Sequence, residues 1–192
     1  MGEPAPTTSP LLRRYTLEEF LDLEPPSGGG HYELIGGVLY MVPPPDKPHN
    51  AAASNLVRRL VAYELSHAGT CRVLIPRAGI QRTPHTWLEP DLMLVTMERF
   101  DRTRSQLEEG DLVIEISGPR SAVYDRTTKA DTYAALGVRE LWLCGLEERS
   151  IEQRVRDGAS NLVPGGVFTG TQVLESATFP GLRVTPDEVF GG

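Results

Sequence analysis

Apolar and polar residues alternate along this chain in two different periods, which predict a mixture of helices and strands. Apolar residues recur at helical spacing in one long segment, at Leu56, Leu60, Val61 and Leu65. This spacing predicts a helix from residue 48 to residue 68, ended by Gly69.

Two shorter elements are predicted before this helix. Thr16 can cap a short helix that begins in 15–20, with Glu19 three residues later closing a capping box. The segment 31–42 has two β-rich pieces around Gly36-Gly37, which is a hairpin pattern.

Strands predominate after the long helix. We predict them at 72–80, 87–95 and 111–117, and the last two are nearly continuous in apolar residues, as buried strands are. A helix over 121–136 and a buried strand over 140–144 follow.

The order helix, three strands, helix, strand predicts an α/β fold, a mixed sheet flanked by helices. The N-terminal hairpin and short C-terminal strands within 150–177 add to it. The 192 residues suffice for one domain with a sizeable core. We expect residues 1–14 to be a flexible tail and residues 15–190 to be a single domain.

The cysteines and the distribution of apolar residues indicate in which compartment the protein works. The two cysteines, Cys71 and Cys144, lie far apart without a CxxC motif, so buried free thiols are expected. The first ten residues lack the apolar core of a signal peptide, and no stretch approaches the ~20 apolar residues of a membrane span. We expect a soluble, cytoplasmic protein with no membrane partner.

The net charge of −7 argues against a protein that grips nucleic acid by bulk electrostatics. Arginines do gather locally, and each cluster is either part of a basic lip or simply solvated. The clusters are Arg58-Arg59, Arg99/Arg102/Arg104 and Arg149/Arg154/Arg156.

Two carboxylates stand where apolar strands should exclude them. Asp91 follows Pro90 at the start of one strand, and Glu115 lies between two isoleucines in another. A buried carboxylate is costly unless it meets a cation, so these residues with Lys129 predict a site for a divalent metal. Otherwise Asp91 would cap a turn and Glu115 would face solvent.

Lys129 is one of two lysines among the 19 Lys and Arg residues, which suggests that its compact ammonium group is specifically required. Asp125 is four residues before it, so an ordinary surface ion pair is the alternative. Tyr133 lies one turn further along the same face and would touch substrate or simply pack.

These features occur in an order and spacing that resemble a known family. The matching pieces run from Tyr15 to Phe190. They are Tyr15-Thr16-x-Glu18-Glu19-Phe20, Tyr32-Glu33-Leu34-Ile35-x-Gly37, His49 with Asn55-Leu56, Pro90-Asp91, Asp111 to Ser117, Asp125 to Lys129, Tyr133, Gly137-Val138-x-Glu140-x-Trp142 and Phe179-Pro180-Gly181-Leu182. The chain thereby resembles the Uma family of restriction-endonuclease-like proteins, within the PD-(D/E)xK nuclease superfamily.

The resemblance implies a restriction-endonuclease-like αβββαβ core and a site that uses Mg²⁺ or Mn²⁺. Asp91, Glu115 and the carbonyl of Ile116 would hold the metal. The superfamily lysine normally follows the second acid by two residues, where this chain has Ser117, so the resemblance implies that Lys129 replaces it.

Glu33 matches an N-terminal acidic position of such nucleases, although a cross-strand salt bridge would also explain it. His49, Asp125 and Tyr133 are accessory candidates, and His49 would otherwise cap the long helix.

The resemblance implies a DNA endonuclease that acts as a homodimer. A non-catalytic binding or regulatory protein with the same fold is the first alternative, motivated by the acidic charge and the displaced lysine. A hydrolase of small phosphoesters or nucleotides is the second.

Overall fold

The computed structural model describes residues 13–102, 107–119 and 121–191. Most of the expected tail, residues 1–12, lies outside them. The described strands are β1 His31–Ile35, β2 Val38–Val42, β3 Cys71–Leu74, β4 Ile80–Thr83, β5 Thr86–Leu88, β6 Leu92–Thr96, β7 Leu112–Ser117, β8 Glu140–Gly145, β9 Ser150–Arg156, β10 Leu162–Thr169, β11 Leu174–Glu175 and β12 Arg183–Val184.

The helices flank these strands. They are α1 Leu17–Leu21, α2 Lys47–Ser66, α3 Met97–Arg102, α4 Ala122–Tyr124, α5 Ala130–Leu136 and α6 Pro186–Phe190. A π-helical turn, Asp125–Lys129, joins α4 to α5 without a break. The capping box of Thr16 and Glu19 is present, as the sequence predicts.

A mixed six-stranded sheet in the order β10-β9-β8-β7-β6-β3 forms the centre of the fold. Its β7 and β8 are parallel, and the segment from α4 to α5 connects them; the other neighbours are antiparallel. The predicted hairpin, β1 and β2, belongs to a second sheet in the order β2-β1-β5-β4.

Two apolar clusters cover the faces of the central sheet, because successive strand residues point to opposite sides. One contains Leu56 and Leu60 of α2 with Ile114 of β7 and the C-terminal segment. The other contains Val113 of β7 with Tyr133 of α5. Glu115, two residues after Val113, therefore faces α5.

Two predicted strands are wrong in extent. The expected strand 72–80 ends at Leu74, and the chain turns through Pro76 and Arg77, whose φ is +74°, before β4. The expected strand 87–95 is divided into β5 and β6 at residues 89–91, since Pro90 cannot donate to a ladder. These breaks let β4 and β5 join the second sheet.

Cys71 and Cys144 are free and buried in the cluster that α2 covers, as expected. No helix within the described ranges is long and apolar enough to cross a membrane.

Candidate active site

Asp91 and Glu115 are brought together by the pairing of β6 with β7. The two strands are antiparallel with Leu92 opposite Ile114, so the register extended by one residue places Asp91 opposite Glu115. Oδ2 of Asp91 accepts a hydrogen bond from the N–H of Ile116 at 2.7 Å. The predicted metal-binding carboxylates thus meet at one end of two paired strands.

Lys129 reaches this place from the π-helical turn. Its Nζ lies 3.0 Å from Oε1 of Glu115 and 3.0 Å from Oε1 of Glu33, which comes from β1 in the other sheet. The side chains of Lys129, Glu115 and Glu33 are 4%, 4% and 0% exposed. The buried ammonium group therefore bridges two carboxylates from different sheets.

Two tyrosines complete the surroundings of these carboxylates. The hydroxyl of Tyr133 donates to Oε1 of Glu115, and that of Tyr124 donates to Oε2 of Glu33 at 3.1 Å. Tyr124 also stacks on Tyr40, with 4.8 Å between ring centroids. Both carboxylates are thereby held in fixed orientations.

Asp125 is buried and belongs to the same cluster. Its Oδ2 accepts a hydrogen bond from the hydroxyl of Ser117 at 2.8 Å, and its Oδ1 is 3.9 Å from Nζ of Lys129. The surface ion pair considered as an alternative for Asp125 and Lys129 is therefore wrong. Ser117, two residues after Glu115, thus positions Asp125.

His49 contacts Asp91 from the first turn of α2. Its Nε2 lies 3.1 Å from Oδ1 of Asp91, whereas its buried Nδ1 has no partner among the described residues. The N-cap of the helix is Asp46, which accepts the backbone N–H of His49. The histidine thus belongs to the site and does not cap the helix.

Burial and mutual charge shift the pKa values of this cluster. Burial raises the pKa of Glu115 well above its ordinary value; Lys129 lowers it, and Asp91 raises it further. Burial lowers the pKa of Lys129, but the nearby carboxylates outweigh burial and raise it well above the usual range. The lysine therefore carries a positive charge among an excess of carboxylates.

The pKa values of the histidine and the tyrosines are also displaced. Burial lowers the pKa of His49, but the hydrogen bond to Asp91 and the charges of Asp91, Asp46 and Asp125 together outweigh burial and raise the pKa. Burial and neighbouring carboxylates raise the pKa values of Tyr124 and Tyr133. Both tyrosines consequently remain hydrogen-bond donors at neutral pH.

Sequence reasoning missed Glu89 and Tyr124. The N–H of Glu89 donates to Oε1 of Glu33 at 3.2 Å, and its own Oε1 accepts from the indole of Trp87. The position of Glu89 directly before Pro90-Asp91 could have marked it as a candidate. Nothing in the sequence marks Tyr124, because in a regular α-helix a residue five positions before Lys129 would lie on another face.

Several arginines of the three clusters are engaged in contacts within the chain. Arg99 is bound to Glu109 and Asp111, Arg154 binds Glu152, and Arg156 donates to backbone carbonyls of α5 and its end. Arg104 lies outside the described residues.

Asp111 is fully buried and accepts the N–H of Thr96 at 2.8 Å in addition to its pairing with Arg99. It therefore connects the start of β7 to the end of β6 and to α3.

The donor chemistry fits one hard divalent cation. No set of three or more His, Cys, Asp and Glu side chains in the described part of the chain is arranged to hold a metal ion. Magnesium, however, requires only one or two carboxylates beside water and substrate oxygens. Oε2 of Glu115 takes no hydrogen bond from the described residues, and the Asp91 side chain opposite it is 23% exposed.

Comparison with known proteins identifies similar chains. The family model Uma2, described as "Putative restriction endonuclease", matches residues 17–187. A solved structure from Anabaena variabilis ATCC 29413, described as a "putative nuclease belonging to DUF820", is 20% identical with a TM-score of 0.76, and the match covers 92% of this chain and 97% of that one. It shares the fold, as the sequence predicts. A search of curated proteins finds no match.

A second solved structure, the type IIG restriction endonuclease BpuSI, is 15% identical with a TM-score of 0.39. This match covers 74% of the present chain and 15% of BpuSI.

Proposed function

Because the chain belongs to the Uma2 family, we propose that it is a Mg²⁺- or Mn²⁺-dependent endonuclease that hydrolyses phosphodiester bonds of DNA. The observation that carries this proposal is the convergence of Asp91, Glu115 and Lys129 at one end of β6 and β7. These three charged groups come from separate parts of the chain, and packing of apolar side chains alone would not bring them together.

Asp91, Glu115 and the carbonyl of Ile116 are the groups that would hold the cation. When bound, a divalent cation lowers the pKa of a bound water and neutralises charge on phosphate oxygens. The neighbouring residues orient these two carboxylates. His49 and the N–H of Ile116 hold Asp91, and Tyr133 holds Glu115.

Lys129 has the hydrogen-bonding capacity to act on the attacking water or on the phosphate. An ammonium group donates three hydrogen bonds. Lys129 donates one to Glu115, and its Nζ also forms an ion pair with Glu33 at 3.0 Å. The oxygen of Asp125 is too far for a third bond at 3.9 Å. We therefore assign the remaining N–H to a water or phosphate oxygen.

The test is incubation of supercoiled plasmid with purified protein in EDTA, Mg²⁺ or Mn²⁺. The parent should nick the plasmid only with metal, and the Asp91→Ala and Glu115→Ala variants should lose this activity while remaining folded by circular dichroism. Glu98→Gln, at a carboxylate that is 83% exposed, is the matched control and should cut like the parent. If both alanine variants also cut like the parent, the assignment of the site is wrong.

We also propose a homodimer, since cutting both strands of a duplex calls for two sites and one chain has a single cluster of this kind among its described residues. Sedimentation equilibrium should then give twice the 21.1 kDa chain mass. A monomer at every concentration tested would rule the dimer out.

A hydrolase of small phosphoesters is the second candidate. It is favoured by the net charge of −7 and by arginines committed to internal bonds, such as Arg99 and Arg156. A scan of mononucleotides, single-stranded oligonucleotides and duplexes distinguishes the two. Turnover confined to mononucleotides would favour this candidate over the endonuclease.

A further inference from the structure

We infer that Lys129 is a built-in cation that replaces a second metal ion, so that the site binds one divalent ion and Glu33 is not a ligand to it. This inference rests on the proposed function, because it concerns the metal that the function requires. It assigns Glu33 to the positioning of Lys129.

The contacts of Glu33 carry the first step. Its Oε1 forms an ion pair with Nζ of Lys129 at 3.0 Å and accepts from the N–H of Glu89 at 3.2 Å, and its Oε2 accepts from Tyr124 at 3.1 Å. The carboxylate is fully buried. Both oxygens are thus occupied by donors, and binding a metal there would break contacts that have no access to replacement water.

The two oxygens of Glu115 differ, which is the second step. Oε1 accepts from both Lys129 and Tyr133, whereas Oε2 takes no hydrogen bond from the described residues. Oε1 therefore belongs to the lysine, and Oε2 is the oxygen available to a metal that Asp91 also contacts.

The balance of charge is the third step. Glu33, Asp91, Glu115 and Asp125 can carry four negative charges, and Lys129 neutralises one of them. One divalent ion brings the group to a single negative charge, whereas two would leave it positive. A second divalent ion bound at Glu33 would also lie beside the ammonium group of Lys129, and the two positive charges would repel each other.

Isothermal titration calorimetry of the whole protein with Mn²⁺ tests the inference in the absence of substrate. The parent should bind one ion per chain. Glu33→Gln should keep one ion with less than about tenfold loss of affinity, because it loses no ligand, whereas Asp91→Asn and Glu115→Gln should lose at least about a hundredfold. Lys129→Met, which removes the positive charge from between Glu33 and Glu115, should take up a second ion.

Two ions on the parent, a loss in Glu33→Gln as large as in Glu115→Gln, or a folded Lys129→Met variant that still takes one ion would each overturn the inference. If Lys129→Met does not fold, the comparison of Glu33→Gln with Glu115→Gln decides. Two ions with metal-dependent cleavage would overturn this inference alone. One ion without cleavage of any nucleic acid would overturn the proposed function alone, and no bound ion would overturn both.

Discussion

The ammonium nitrogen of Lys129 lies 3.0 Å from Oε1 of Glu115, and both side chains are only 4% exposed. The two residues are 14 positions apart and belong to different elements. A buried ion pair contributes little net stability when it is intact, but the loss of one partner leaves an uncompensated charge. The pair therefore makes the stability of the fold depend on the integrity of the site.

Replacement of Lys129 by methionine should lower the free energy of unfolding by about 3–5 kcal/mol at pH 8. Lys129 lowers the pKa of Glu115 against the effect of burial, so without the cation the folded-state pKa of Glu115 must rise further. An acid whose pKa is raised by folding destabilises the protein increasingly as the pH rises above its unfolded value. Urea denaturation should therefore show a smaller difference from the parent at pH 5 than at pH 8.

Lys129→Arg keeps the positive charge and tests whether the compact shape of the ammonium group is required. The planar guanidinium group does not fit where one nitrogen contacts two carboxylates, so metal-dependent cleavage should fall at least about a hundredfold. Cleavage at the parental rate by the arginine variant would refute a requirement for the compact ammonium group.

Tyr133→Phe should weaken the positioning of Glu115 without greatly affecting the fold. It removes one donor from a buried carboxylate, which should cost about 1–3 kcal/mol of stability. Cleavage should fall about tenfold, and the Mn²⁺ concentration at half-maximal rate should rise. Tyr63→Phe, which removes a hydroxyl bound to the carbonyl of Pro180 at 3.2 Å, is the control, and an equal effect of both variants on the metal requirement would contradict this role.

Glu140→Ala should be severely destabilising although the residue is far from the proposed chemistry. Its fully buried carboxylate accepts hydrogen bonds from Trp142, Gln153, Ser176 and the N–H of Thr178. All four donors would lose this carboxylate, and the buried indole of Trp142 has no other acceptor among the described residues, so the expected loss is about 3–5 kcal/mol.

Limited proteolysis should find new cuts in the C-terminal segment of this variant, since Ser176 and Thr178 connect that segment to the sheet. Glu175→Ala, at a side chain that is 43% exposed and paired with Arg183, should cost less than about 1 kcal/mol. Comparable losses in the two variants would show that the buried network does not anchor the segment.

Asp111 should make the fold sensitive to acid. Burial raises the pKa of Asp111, but the N–H of Thr96 and the guanidinium of Arg99 outweigh it and lower the pKa. The stabilising contribution is therefore fully present above the unfolded pKa of about 3.9 and is lost as the pH falls through the folded value. Asp111→Asn should cost about 2 kcal/mol at pH 7 and progressively less below pH 4; a difference that is constant with pH would contradict the assignment.

Much of the fold was predictable because strand and helix periods are local properties of the sequence. The hairpin, the capping box of Thr16 and the largely apolar β7 and β8 follow from such patterns. The division of the strands at Pro76 and Pro90 was harder to predict, because which sheet each half joins depends on distant partners such as β1.

The candidate site was predictable as a set of residue types but not as a set of contacts. Asp91 and Glu115 stood out as charges in apolar strands, and their register then follows from strand pairing. The π-helical turn did not stand out, because one extra residue in a helical turn leaves no periodic trace. That turn brings Tyr124 within reach of Glu33, so this contact was beyond sequence reasoning.

The burial of both native thiols has a practical consequence for spectroscopy. Cys71 and Cys144 are at most 2% exposed, and burial raises the pKa of each, so neither should react readily with maleimides. A single cysteine introduced at Val123, which is 76% exposed and adjacent to Tyr124, would then carry a fluorophore uniquely. The native cysteines therefore need not be replaced before a fluorophore is attached near Tyr124 to report the binding of metal or substrate.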